Sequence, residues 1–137
     1  MAVSTIVIID DDIDDREIMQ NILEEIGVGY QIIFFEKSQS AYDFLTAPGN
    51  APFMILSDIN IPGINGIELR DKIYAVAESK LRSKPYIFLT SGRNLKEPGQ
   101  EVDFYYKPFS VSGWKELFQI LIDKCKSQRT GSEIIPV

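Results

Sequence analysis

The sequence predicts an α/β domain with a five-stranded parallel sheet and helices on both of its faces. Five short, nearly unbroken runs of aliphatic, β-branched and aromatic residues are typical of strands buried on both faces of a parallel sheet. Segments with helical periodicity alternate with these runs, which indicates βαβ units. At 137 residues the chain is long enough for one such domain and too short for two.

The predicted strands are distributed along most of the chain. The first is the run TIVIID, which ends in Asp10 and is followed directly by Asp11. Three further runs have the same character, and a fifth is weaker. The five predicted strands cover residues 5–10, 31–35, 53–57, 86–90 and 103–107.

Apolar residues between the strands recur with the period of an amphipathic helix. The first helix should end at Gly27 and Gly29, and a shorter one should cover residues 40–46 before Pro48 and Gly49. The apolar stripes predicted to face the core are Met19, Ile22, Leu23 and Ile26; Leu69, Ile73, Val76 and Ala77; and Trp114, Leu117, Phe118, Leu121, Ile122 and Cys125.

The stretch SGRNLKEPGQEV, residues 91–102, departs from this pattern. It lies where a fourth helix should connect the last two strands, yet it contains Pro98 and Gly99 and almost no apolar residue. We therefore expect the fourth helix to be short or missing. We also expect the backbone amides of residues 91–102 to exchange quickly with solvent. We also expect a domain of residues 1–126 followed by a flexible C-terminal tail, residues 127–137.

Composition excludes several classes of function. A net charge of -6 argues against a nucleic-acid partner, because binding to phosphates requires a basic surface. No apolar run has the length of a membrane span and no signal peptide is recognisable, so we expect a cytoplasmic protein. The single cysteine allows no internal disulfide, and the absence of histidine excludes a Ser/His/Asp triad and the usual zinc sites.

The residues that carry chemistry follow the predicted strands. In an open parallel sheet, ligands bind at the carboxyl ends of the strands. Three carboxylates, one or two hydroxyl groups and one ammonium group should therefore meet at one edge. Carboxylates crowded together repel each other unless a cation joins them, and oxygen ligands suit Mg²⁺. The pattern predicts a Mg²⁺-assisted phosphoryl site at this edge, made of Asp10, Asp11, Asp58, Thr90 or Ser91, and Lys107.

Four motifs at these strand ends resemble the receiver domain of bacterial two-component response regulators. They are IIDDD at residues 8–12, LSDINIPGINGIEL at 56–69, FLTS at 88–91 and YYKPF at 105–109. Each motif is weak alone, but four in order at matching spacing are specific. The resemblance covers about residues 5–125 and implies a flavodoxin-like, doubly wound sheet with strand order 2-1-3-4-5.

The resemblance also implies roles for individual residues. Asp58 is the expected phosphoacceptor, and the Lys107–Pro108 bond is a candidate cis peptide. The expected Mg²⁺ ligands are Asp10, Asp11, Asp58 and the backbone carbonyl of Asn60. The expected phosphoryl-binding and switch residues are Thr90, Lys107 and Phe104, with Ser91 as the alternative switch hydroxyl.

The resemblance implies a receiver, and we expect a stand-alone one, because the residues after Cys125 are too few for a DNA-binding or enzymatic output module. A sensor histidine kinase would transfer a phosphoryl group to Asp58, and the protein would signal by protein contact or by relay to a histidine phosphotransfer protein. Such a domain catalyses only its own phosphorylation and dephosphorylation. It would otherwise not be an enzyme.

Alternatives remain at the level of the sequence. Asp12, Asp14 and Asp15 lie at the start of the first helix, where carboxylates cap free N–H groups. Asp14, with Glu17 three residues on, is the expected cap, and Asp12 is left open. A haloacid-dehalogenase-type phosphatase also uses Mg²⁺ and an aspartyl phosphate, and its DxD pattern would fit Asp10 and Asp12. A degenerate receiver that acts as a constitutive binding module is the third hypothesis.

Overall fold

Five strands form the sheet of this domain, and the computed structural model describes residues 4–26, 29–50, 52–61, 63–77, 79–91 and 103–134. The strands are β1 Ser4–Ile9, β2 Tyr30–Phe35, β3 Met54–Asp58, β4 Tyr86–Thr90 and β5 Asp103–Tyr106. Their order is β2-β1-β3-β4-β5, and every neighbouring pair is parallel. Each strand end lies within one residue of its predicted position, and the predicted α/β, flavodoxin-like fold is confirmed.

Helices connect these strands and cover the sheet. Gly29, after the first helix, adopts a φ of 95°, a left-handed conformation that glycine adopts without steric cost. This supports the prediction that glycine ends the first helix. The other glycine of that prediction, Gly27, lies outside the described residues. The helices are α1 Ile13–Ile26, α2 Ser38–Thr46, α3 Gly66–Val76, α4 Ser79–Arg82 and α5 Val111–Ile134.

The short helix α4 has no counterpart in the sequence analysis. The Arg82 guanidinium in it donates hydrogen bonds to the carbonyl oxygens of Tyr74, at 3.2 Å, and Ala77, at 2.9 Å. It thereby satisfies acceptors freed at the end of α3. The predicted fourth helix, between β4 and β5, would fall within residues 92–102, outside the described part of the chain, and its shortness stays a prediction.

Two buried clusters lie on opposite faces of the sheet. Along β1, Ile6 and Ile8 belong to the cluster under α1 and α5, whereas Val7 and Ile9 belong to the cluster under α2 and α3. Both faces of the strand are therefore buried, which explains the unbroken apolar run. The predicted apolar stripe of α5 is buried from Trp114 to Cys125 and is confirmed.

One prediction about the helices was wrong. Val76 is 59% exposed in the last turn of α3, whereas Leu69, Ile73 and Ala77 of the same predicted stripe are buried. The backbone of α5 continues past residue 126 to Ile134. A helix makes its hydrogen bonds internally, so polar residues extend it without an apolar face to bury. The domain boundary at residue 126 and the flexibility of residues 127–137 stay predictions.

None of the helices among the described residues combines the length and the apolar character needed to cross a membrane.

Candidate functional site

The carboxyl ends of neighbouring strands place the predicted acidic residues side by side. β1 pairs with β3 in a register that aligns Ile9 with Ser57, so Asp10 and Asp58 follow the aligned pair at the same edge. The Asp10 N–H donates to the Phe35 carbonyl oxygen at 3.0 Å, which holds this end of β1 against β2. The sheet itself therefore positions both carboxylates.

Three carboxylates form an oxygen cluster at this edge. One oxygen from each of Asp10, Asp11 and Asp58 lies within 4.8 Å of the other two. Asp10 is 1% exposed and Asp58 8% exposed, whereas Asp11 faces solvent. This donor set consists of oxygen atoms only, open to solvent on one side, which fits a hard cation such as Mg²⁺.

Backbone amides hold one oxygen of each buried carboxylate. Asp12 donates its N–H to Asp10 Oδ1 at 2.9 Å, and Asn60 donates its N–H to Asp58 Oδ1 at 3.0 Å. Each carboxylate is thus oriented by the residue two positions later. The Asn60 contact is made by its N–H, and the predicted metal-binding role of its carbonyl oxygen stays a prediction.

Lys107 joins the buried carboxylates from the end of β5. Its ammonium nitrogen Nζ lies 3.0 Å from Asp10 Oδ2, 3.0 Å from Asp58 Oδ2 and 2.7 Å from Asp15 Oδ2. The first two contacts bring together residues that the sequence predicted to meet. Asp15 was not predicted at the site, although its place in the first turn of α1, close to Asp11 in sequence, was a signal that could have identified it.

The protonation of the site reflects its burial. Desolvation raises the pKa of Asp10 to about 6, although the nearby Lys107 charge lowers it in part. Desolvation likewise raises the pKa of Asp58 despite the same ammonium group. For Lys107, desolvation alone would lower the pKa, but the hydrogen bond to Asp15 and the charges of Asp10 and Asp58 outweigh it and raise the pKa. The single ammonium group therefore leaves negative charge that a cation would neutralise.

The start of α1 is capped by Asp12 rather than Asp14. Asp12 Oδ1 accepts a hydrogen bond from the Asp15 N–H at 3.1 Å. An N-cap residue must precede the first helical residue, and α1 begins at Ile13, so Asp14 already lies inside the helix. The prediction that Asp14 is the cap was wrong, and the open question about Asp12 is answered.

The loop after Asp58 is shaped by glycine and by a second cap. Gly66 donates its N–H to the Ile59 carbonyl oxygen at 2.7 Å, and a Cβ at this position would overlap the Asp58 carbonyl oxygen. Asn65 caps α3 by accepting the Glu68 N–H at 2.9 Å. α3 therefore begins directly behind Asp58 and supports it.

The predicted switch residues lie on β4 and β5. Thr90 is buried as the last residue of β4, whereas Ser91 follows the strand and is exposed. The register pairs Thr90 with Tyr106. The rings of Phe104 and Tyr106, on the same face of β5, meet edge-on with their centroids 5.7 Å apart. The switch roles of Thr90, Ser91 and Phe104 stay predictions.

The predicted cis peptide between Lys107 and Pro108 is wrong, since no cis peptide bond occurs within the described residues. The trans isomer is the lower in free energy for most X–Pro bonds.

Comparisons with known proteins agree with this geometry. The sequence profile of the response regulator receiver domain matches residues 6–109. The chain is 27% identical over 129 residues to the chemotaxis protein CheY-3 of Vibrio cholerae, which covers 87% of this chain and 92% of that protein. It is 25% identical over 134 residues to the two-component response regulator-like protein PRR37 of Oryza sativa subsp. indica, which covers 93% of this chain. The chain spans only 18% of the length of that rice protein.

Solved structures share the fold. The phosphorylated cyanobacterial phytochrome response regulator RcpA superposes with a TM-score of 0.75 at 19% identity, over 93% of this chain and 96% of that chain. The receiver domain of the hybrid histidine kinase CckA superposes with a TM-score of 0.64 at 20% identity, over 85% and 96%. With a family profile matched across most of its length, the chain belongs to the response regulator receiver domain family, whose members are signalling domains.

Proposed function

We propose that Asp58 is the phosphoacceptor of this receiver and that a sensor histidine kinase is its phosphoryl donor. One observation carries the proposal: the Lys107 ammonium group reaches across the edge of the sheet to Asp58 Oδ2 at 3.0 Å, beside the carboxylates of Asp10 and Asp11. A nucleophilic carboxylate, an acidic pair and a cation are the groups that acyl-phosphate formation requires.

The transfer would proceed by attack of an Asp58 carboxylate oxygen on phosphorus. The new O–P bond forms as the P–N bond to the donor's phosphohistidine breaks, and the leaving imidazole takes up a proton. The Asn60 N–H donates a hydrogen bond to one oxygen of the Asp58 carboxylate, Oδ1, at 3.0 Å and thereby orients the carboxylate. Lys107 would donate hydrogen bonds to the oxygens of the incoming phosphoryl group, where negative charge develops.

Mg²⁺ is the cofactor we propose for this site. Asp10, Asp11 and Asp58 would hold it through their carboxylates, together with the Asn60 carbonyl oxygen. The ion would neutralise phosphoryl oxygens in the transition state. The fit rests on the donor chemistry, which is oxygen only, and on burial, which raises the pKa of Asp10 and Asp58 and so makes a cation favourable there.

Signal output would pass through Thr90 and Phe104. The Thr90 hydroxyl would move toward the phosphoryl group, and the Phe104 ring would change its position on the same face of the sheet. Exposed apolar side chains near the site suit protein partners, either the kinase, a histidine phosphotransfer protein or a downstream target. They are Ile13, Tyr106, Phe109 and Val111.

The test is labelling with acetyl phosphate in the presence and absence of Mg²⁺, followed by peptide mass spectrometry. We expect Mg²⁺-dependent modification of Asp58, and no modification in Asp58→Asn, which should still fold because a crowded carboxylate is removed. Modification of Asp10 with rapid turnover of phosphomonoesters would contradict the proposal and support the phosphatase hypothesis. Absence of any modification would support a constitutive binding module.

A further inference from the structure

The Lys107 ammonium group has one partner that the proposed reaction does not use. Asp10 and Asp58 belong to the proposed metal and phosphoryl site, but Asp15 belongs to neither set. Asp15 nevertheless makes the shortest of the three contacts, 2.7 Å against 3.0 Å for each of the others.

The three contacts occupy every donor of the ammonium group. A lysine ammonium has three N–H bonds, and Lys107 has three carboxylate partners. Each partner therefore sets one direction of the group. Phosphorylation would attach a phosphoryl group to one Asp58 oxygen, and a bound metal ion would engage the Asp10 carboxylate, so both of these contacts of Lys107 would change. The contact with Asp15 is the one that remains.

The position of Asp15 is held by contacts other than the one with Lys107. Its side chain is 21% exposed, so water competes for it less than for a surface carboxylate. Its backbone N–H is held by the side chain of Asp12, the N-cap of α1, at 3.1 Å. The first turn of α1 therefore holds Asp15 in place independently of Lys107.

We propose that Asp15 is a positioning residue, which holds the Lys107 ammonium group in the orientation that receives the phosphoryl group on Asp58. The inference rests on the proposed function of Asp58. A group that is already oriented stabilises developing charge without reorganising during the reaction, which is the basis of electrostatic preorganisation. Asp15 acts through Lys107 and does not touch the reacting atoms.

The test is the affinity of beryllofluoride, a phosphoryl analogue, at saturating Mg²⁺, measured by ¹⁹F NMR. Asp15→Ala should weaken binding about tenfold, equivalent to about 1.4 kcal/mol. Asp15→Asn, which keeps an oxygen acceptor, should recover part of the loss. Asp14→Ala is the matched control, because it removes the same charge from an exposed position one residue away, and its affinity should change less than about twofold.

A double-mutant cycle separates positioning from a general structural effect. In a Lys107→Ala background, Asp15→Ala should cause no further loss of beryllofluoride affinity. An equal loss in both backgrounds, or binding by Asp15→Ala and Asp15→Asn as tight as in the unmodified protein, would overturn the role of Asp15 and leave Asp58 as the acceptor. Failure of the unmodified protein to bind beryllofluoride at Asp58 would overturn the proposed function, and this inference with it.

Discussion

The substitution Asp10→Asn removes a carboxylate that is 1% exposed and held near Lys107. Burial raises its pKa from 3.8 to about 6 in the folded protein. A carboxyl group with a raised folded-state pKa keeps its proton more tightly in the folded than in the unfolded chain. Its ionisation therefore opposes folding increasingly as pH rises from 3.8 to about 6, and the penalty is constant above that range.

The size of the effect follows from this shift. A difference of about two pKa units corresponds to a penalty of about 3 kcal/mol at pH 7, which falls to roughly half at pH 5. Asparagine avoids the charge but offers a single acceptor oxygen in place of Oδ1, which binds the Asp12 N–H, and Oδ2, which binds Lys107. The hydrogen bonds that the ionised carboxylate accepts from Asp12 and Lys107 already lower the pKa of Asp10, so the penalty of about 3 kcal/mol is net of them.

Without metal, Asp10→Asn should therefore be more stable than the unmodified protein by up to about 3 kcal/mol at pH 7, and by about half as much at pH 5. The assay is urea unfolding in EDTA, followed by the fluorescence of Trp114. This is the chain's one tryptophan, and its side chain is buried. Asp14→Asn, at an exposed carboxylate, is the control, and its unfolding free energy should stay close to that of the unmodified protein.

Two results would refute the reasoning. One is an Asp10→Asn variant that is less stable than the unmodified protein at pH 7. The other is a difference in unfolding free energy that is the same at pH 7 and pH 5, since that would show that ionisation of Asp10 does not oppose folding. Addition of Mg²⁺ should stabilise the unmodified protein more than the variant, because the variant has lost a proposed ligand.

Two further substitutions test the loop that supports Asp58. Gly66→Ala would place a Cβ against the Asp58 carbonyl oxygen. We therefore expect a destabilisation of about 1 to 3 kcal/mol in urea unfolding and slower labelling of Asp58 by acetyl phosphate. An unchanged unfolding free energy together with an unchanged labelling rate would contradict the close approach. Asn65→Ala removes the acceptor of the Glu68 N–H and should lower the unfolding free energy by about 1 kcal/mol. Asn65→Asp keeps an acceptor and should keep the unfolding free energy unchanged, so equal losses in both variants would argue against capping.

Local patterns were sufficient to predict the sheet. An unbroken apolar run with both faces buried has few alternatives to a strand of a parallel sheet, and β1, with Val7 and Ile8 on opposite faces, is an example. The stripe of α5 was equally predictable, since Trp114 and Phe118 repeat at the helical period and both are buried. Where the pattern was less informative, at Val76, the prediction of burial was wrong.

The site was predictable to the same extent and for a related reason. The carboxyl ends of parallel strands meet at one edge, so Asp10, Asp58 and Lys107 could be expected together from the strands that precede them. The cap of α1 could not be assigned as well, because the choice between Asp12 and Asp14 depends on a helix start that sequence patterns locate only within a few residues.

The sequence by itself determined the strand ends and, through them, which charged groups share one edge of the sheet. It did not reveal that Asp15 contacts Lys107, because the two residues are 92 positions apart and the contact depends on how α1 packs relative to the end of β5. It also did not reveal that the pKa of Asp10 rises to about 6, since that shift comes mainly from burial. Periodicity and strand ends are local properties of the chain, whereas desolvation and ion pairing depend on groups that only folding brings together.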